Sequence, residues 1–312
     1  MILRTASDPL KLTTRIIFTS AARVAWRLIL ARLKHTGTNS ILIPAYIGFS
    51  EREGSGISDP INATCTPYTF YSLDSNLRPD LDDLAARLKT GQHPLLLVVH
   101  YFGIVHVDLL KVRRLCERYN TLLIEDCAHV PWPLYNTTGV GSVGDAAFYS
   151  MHKSIAVPSG GMLRINNPDI DYALPTGTDR CDESSLEQFI RTDMAAVAAK
   201  RCENYRWLAK RLSNVGGLGV LYPKIGDLVP HNFPIVVHHG LREKLYFELM
   251  SENLPTIALY YQLVDSIAPL DFPRSHRLSK SILNLPVHQD TDLADLEHLT
   301  ERIVRIVAGF RA

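Results

Sequence analysis

The sequence predicts an α/β fold, a mostly parallel central sheet flanked by helices, with a smaller C-terminal α+β domain. Three observations carry this expectation. Several short runs are apolar at nearly every position, as in strands buried on both faces of a sheet. Segments of helical spacing alternate with those runs. Gly216-Gly217-Leu218-Gly219 then punctuates the chain, dividing a large domain of residues 1–215 from a small one of residues 216–312.

In chain order, the apolar Ile16-Ile17-Phe18 leads into a helix over 21–34 whose N-cap would be Thr19 or Ser20. Buried strands are expected at 41–44, 95–100, 121–125 and 146–150, with a return strand at 162–165. Helices are expected at 81–89 and 107–119, and a long Ala-rich, charged one over 184–212. Beyond the glycines come a strand at 232–237, a helix at 241–252, an irregular proline-rich stretch to Pro286 and a terminal helix over 292–308.

Composition narrows the function. At 312 residues and 46% hydrophobic the chain can fill a sizeable core. Its 33 basic and 32 acidic residues give no electrostatic reason to expect a nucleic-acid partner. The five cysteines, Cys65, Cys116, Cys127, Cys181 and Cys202, are widely spaced and form no zinc-like cluster, so they read as free thiols with no metal site. No apolar run is long enough for a bilayer and the N-terminus lacks a signal-peptide pattern. A cytoplasmic protein without membrane association is expected.

In open parallel sheets ligands bind beyond the carboxyl ends of the strands. There the sequence places His100 after one buried run, Glu125-Asp126-Cys127-Ala128-His129 after the next, and Ser150-Met151-His152-Lys153 after a third. An aspartate at a strand end, a lysine about one strand later and a serine beside that lysine suit pyridoxal 5'-phosphate. The cofactor needs an amine to hold its aldehyde, a carboxylate to keep its pyridine nitrogen protonated, and hydroxyl and N–H donors for its phosphate. A second phosphate contact is expected where Ser20 and Ala21 open the first helix.

The block from Glu125 through Gly139-Val140-Gly141-Ser142-Val143-Gly144-Asp145, Phe148-Tyr149-Ser150 and Lys153 to Gly160-Gly161 resembles the DegT/DnrJ/StrS sugar aminotransferases. So do His100-Tyr101-Phe102-Gly103 and Leu285-Pro286-Val287-His288. The resemblance implies a fold type I pyridoxal-phosphate-dependent transferase and a homodimer. Its expected reaction carries an amino group from a glutamate-like donor to a keto-sugar nucleotide, in polysaccharide or secondary-metabolite biosynthesis. By the same resemblance Lys153 would hold the cofactor and carry the proton, Asp126 pair with the pyridine nitrogen and His129 lie near the ring. Ser150, Ser20 and Ala21 would hold the phosphate, and Tyr46 or Phe49 would supply the stacking ring.

The chain also departs from the family as a shortened and divergent member. The step from Ser150 to Lys153 is short, Pro158-Ser159 stands in place of Gly-Glu before the glycine pair, and little sequence precedes Thr19. No clear counterpart exists for the family's Asn-Tyr-Arg, since Asn204-Tyr205-Arg206 lies too far along the chain. Two alternatives follow: a binding, sensing or assembly subunit without transaminase activity, or a sugar dehydratase, toward which His152 beside the lysine points.

Overall fold

The computed structural model describes residues 15–33, 40–52, 54–104, 106–131 and 139–309. Its large sheet has seven strands: β1 (Arg15–Thr19), β2 (Ile41–Pro44), β3 (Tyr68–Tyr71), β4 (Leu95–Val99), β5 (Leu122–Cys127), β6 (Ala146–Ser150) and β7 (Gly161–Ile165). They are ordered β1-β7-β6-β5-β4-β2-β3. The pairs from β3 through β2, β4 and β5 to β6 are parallel, while β7 runs antiparallel to both β6 and β1. Strands β2, β4 and β6 are buried at every position, which is why they read as unbroken apolar runs.

Helices α1 (Ala22–Leu30), α2 (Ser58–Ala63), α3 (Leu81–Leu88) and α4 (Leu109–Arg118) connect these strands. The last two start on aspartates: Asp80 accepts from Asp83 N–H and Asp108 from Lys111 N–H, satisfying donors that a helix start leaves open.

The expected single helix over 184–212 is two helices, α5 (Glu183–Arg191) and α6 (Met194–Leu212). Asp193 breaks the run because its carboxylate accepts from Ala195 and Ala196 N–H, starting a new helix. Past α6 lie β8 (Leu218–Val220), β9 (Asn232–Val237), α7 (Arg242–Ser251), α8 (Pro273–Ser281), β10 (Ile282–Pro286) and α9 (Leu293–Gly309). The three strands form an antiparallel sheet in the order β10-β9-β8. The stretch expected to be irregular therefore contains a helix with proline in its first turn, where the missing N–H costs nothing, followed directly by β10.

Two helix arginines that the sequence alone would place on solvated faces are held by partners. Arg113 pairs with buried Asp145 at 2.8 Å, and Arg242 is itself buried, its guanidinium facing the Tyr261 ring. Among the described residues no helix is long and apolar enough to cross a membrane.

Candidate active site

The parallel strands deliver their polar ends to one side of the sheet, and a cavity of about 450 Å³ opens there. From the large sheet come His100 after β4, Asp126 and His129 at the end of β5, and Ser150, His152 and Lys153 where β6 ends. Ala21 and Ala22 bring the start of α1 to the wall, and Phe49 lines it from the loop after β2. Thr256 to Tyr261, from the segment between α7 and α8, close another side.

Of the residues expected from sequence, Ala21, Phe49, Asp126, His129, Ser150 and Lys153 share this cavity, whereas Ser20 and Tyr46 do not line it. Tyr46 is fully buried, with its ring 5.5 Å from Tyr101 and 5.1 Å from Tyr260. Ser20 is committed through its backbone, its N–H to Asp179 O and its carbonyl to Gly160 N–H. Neither Thr19 nor Ser20 is the N-cap: Thr19 is registered in β1 opposite Gly161, and Ala21 takes the cap position without a side-chain bond.

Ala21 at the cap position supplies no side-chain bond to the helix start beside the cavity, where N–H groups favour an anion. The glycine pair brings the two elements together. A Cβ on Gly161 would lie 2.2 Å from Ala21 C and 2.5 Å from Ala21 O and Ala22 N, so only glycine lets β7 pass so close to the helix start.

Asp126 is buried, and among the described residues its carboxylate accepts one hydrogen bond, from Ala128 N–H at 2.8 Å. Burial pushes its carboxyl above the ordinary range, against the pull of that N–H and of charge at Lys153 and His100. A carboxylate so placed has capacity for a cationic partner in the cavity.

Next to it, Glu125 is saturated. It accepts from Gly141, Val143 and Gly144 N–H at 2.8, 3.1 and 2.7 Å and meets His100 Nε2 at 2.9 Å. His100, Glu125 and Cys127 lie close enough for a metal, but the glutamate's lone pairs are already spent on these four donors.

His129 accepts the Phe102 N–H at Nδ1, 3.2 Å away, which fixes its proton on Nε2 in the neutral ring. Burial, then charge at Lys153 and His231, hold its pKa well below the usual value. Sequence reasoning gives His231 no special role, yet its ring stacks on His129 at 4.6 Å. Gly103, at φ +75°, permits that neighbourhood, since a Cβ there would sit 2.6 Å from His129 O and 2.8 Å from His231 N. Ser150 Oγ lies 3.2 Å from His152 Nδ1.

An amine, a buried carboxylate and a helix start around one cavity fit a cofactor with an aldehyde, a basic ring nitrogen and a phosphate. With the mostly parallel seven-stranded sheet, the fold is that of the fold type I pyridoxal-phosphate-dependent transferases. The sequence profile of the DegT/DnrJ/EryC1/StrS aminotransferase family matches residues 74–175 of this chain.

Among curated proteins it is 24% identical over 241 residues to the dTDP-3-amino-3,6-dideoxy-alpha-D-galactopyranose transaminase of Aneurinibacillus thermoaerophilus, covering 69% of this chain and 66% of that one. It spans less of the next two relatives, 22% and 17% of their lengths. Among solved structures it resembles Helicobacter pylori PseC, an aminotransferase involved in the biosynthesis of pseudoaminic acid. The TM-score is 0.79 at 15% identity, with 95% of this chain and 87% of that one covered. It also resembles a mutant GDP-4-keto-6-deoxymannose-3-dehydratase with bound GDP-perosamine, at TM-score 0.74 and 16% identity over 92% and 88% of the two chains.

Proposed function

We propose that this chain is a pyridoxal-phosphate-dependent aminotransferase that moves an amino group from a glutamate-like donor to a keto-sugar nucleotide. The observation that carries the reading is the convergence of Lys153, Asp126 and His129 on one cavity. The named transaminase relative acts on a nucleotide sugar, which favours that acceptor class.

When bound, the cofactor supplies an electron sink for the substrate carbon. Lys153 would hold it through the amine and would serve as the acid and base at the substrate carbon. Asp126, lining the same cavity, would pair with the ring nitrogen and keep it protonated. His129, neutral and oriented by Phe102 N–H, offers Nε2–H at the ring. Ser150 Oγ and the N–H at Ala22 would hold the phosphate, and Phe49 offers an apolar wall. A homodimer in a reducing, cytoplasmic setting belongs to the same reading, the latter supported by five free cysteines.

The test is the visible absorption of purified protein with pyridoxal phosphate, before and after excess glutamate. A cofactor band that bleaches with glutamate is expected, and a band indifferent to every amino donor would overturn transamination. His152, lining the cavity beside Ser150, favours dehydration as the second reading. In that case glutamate also bleaches the band, because the donor is the reductant. A 4-keto-6-deoxy sugar nucleotide would exchange a hydroxyl for hydrogen while glutamate is oxidised to its keto acid and ammonia is released, so a product without new nitrogen marks this reading.

A further inference from the structure

Arg201 is on the inner side of α6 and is 0% exposed. It donates from Nη2 to Lys153 O at 3.0 Å and Ser154 O at 3.3 Å, and from Nε to Gln289 Oε1 at 2.8 Å. Gln289, just past β10, donates from Nε2 to the same Ser154 carbonyl at 3.1 Å.

The backbone bonds around Lys153 are local, Ser154 and Ile155 N–H to Met151 O and Met151 N–H to Gly160 O, while the far end of the loop is tied to Ser20 O through Gly160 N–H. Arg201 thus reaches the lysine's own carbonyl from a distant element, and Gln289 the carbonyl of the next residue. The guanidinium has no ion-pair partner among the described residues. Its Nη1 is buried without an acceptor, and burial lowers its pKa to about 10 while the charge on Asp290 opposes this. A buried cation without a counter-charge is a poor device for stability, and an apolar side chain of similar volume does that work better. What the planar fork supplies is geometry, two carbonyls of successive residues held from one rigid group.

We propose that Arg201, bracketed with Gln289, is the positioning residue for Lys153, holding the short loop after β6 so that the amine meets its partner in the cavity. The proposal rests on the reading of Lys153 as the cofactor-bearing lysine. Charges at Lys153, Arg201, His288 and His152 all act on His231, so the bracket and the amine share one neighbourhood.

The experiment follows attachment of pyridoxal phosphate to Lys153 by borohydride trapping and peptide mass spectrometry, in wild type, Arg201→Met, Arg201→Lys and Gln289→Leu, with thermal melting in parallel. Because misplacement by about 1 Å can cost about 100-fold, the limiting attachment rate should fall at least about tenfold in Arg201→Met and less in Gln289→Leu. Arg201→Lys should recover part of it. The half-saturating cofactor concentration should stay within about twofold, since the phosphate contacts are untouched.

Wild-type rates in all folded variants would overturn the positioning role and leave the function intact. If Arg201→Met does not fold, Gln289→Leu decides. No attachment at Lys153 in the wild type would overturn the function, and this proposal with it.

Discussion

Replacing Gly161 with alanine drives a methyl group into the backbone at the start of α1. The new Cβ would lie 2.2 Å from Ala21 C and 2.5 Å from Ala22 N, and neither atom can rotate away as a side chain would. Strand β7 or the helix start must move, and β7 is held on both sides, by β1 and β6. Overpacking of a core typically costs about 1–3 kcal/mol, and backbone on both sides puts this case near about 3 kcal/mol. At about 2.1 cal/mol/K of unfolding entropy per residue, 312 residues turn that into a fall of about 5 °C in Tm.

Gly56 is the control, because it lines the same cavity yet a Cβ there meets nothing within 4 Å. Gly56→Ala should stay within about 0.5 kcal/mol of wild type. Thermal melting of the three proteins, with a pyridoxal phosphate titration of each, is the assay. Gly161→Ala should lose both stability and cofactor affinity. An unchanged Tm and affinity would refute the claim that this glycine sets the approach of β7 to the helix start.

Three further outcomes follow from the same geometry. Glu125→Ala removes the acceptor of three N–H groups and of buried His100, and should cost about 3–5 kcal/mol in denaturant unfolding. Asp126→Asn keeps the shape but not the charge, and should lower turnover by about 100-fold or more while pyridoxal phosphate still attaches, read by steady-state kinetics. Burial holds His129 and His231 well below the ordinary histidine value and His106 at about 4. The unfolded chain takes up protons first, so the stability they contribute is intact above about pH 6.5 and lost as pH falls toward the folded values. Tm should therefore fall on acidification, less steeply in His129→Gln.

The buried strands were legible because both of their faces are apolar, and the strand-end residues because the chemistry falls where such runs stop. Lys153, Asp126, His129 and Ser150 came from that rule. The far wall of the cavity did not: Thr256 to Tyr261 come from an irregular segment of the other half of the chain, and no local pattern marks them. Arg201 escaped notice for a related reason, since on an Ala-rich charged helix one arginine looks like its neighbours until its burial is known. Strand β3 is only Tyr68–Tyr71, half-buried at its start, too short and too mixed to stand out. The choice between Tyr46 and Phe49 depended on which ring turns inward under Tyr101 and Tyr260, a matter of packing across segments far apart in sequence.

The central claim is that Lys153 is the residue to which the cofactor attaches. Reducing the protein with borohydride in the presence of pyridoxal phosphate, digesting it and mapping the added mass tests this most directly. The account predicts one stoichiometric modification, on Lys153, absent from Lys153→Ala. Modification scattered over surface lysines, or undiminished in Lys153→Ala, would contradict it.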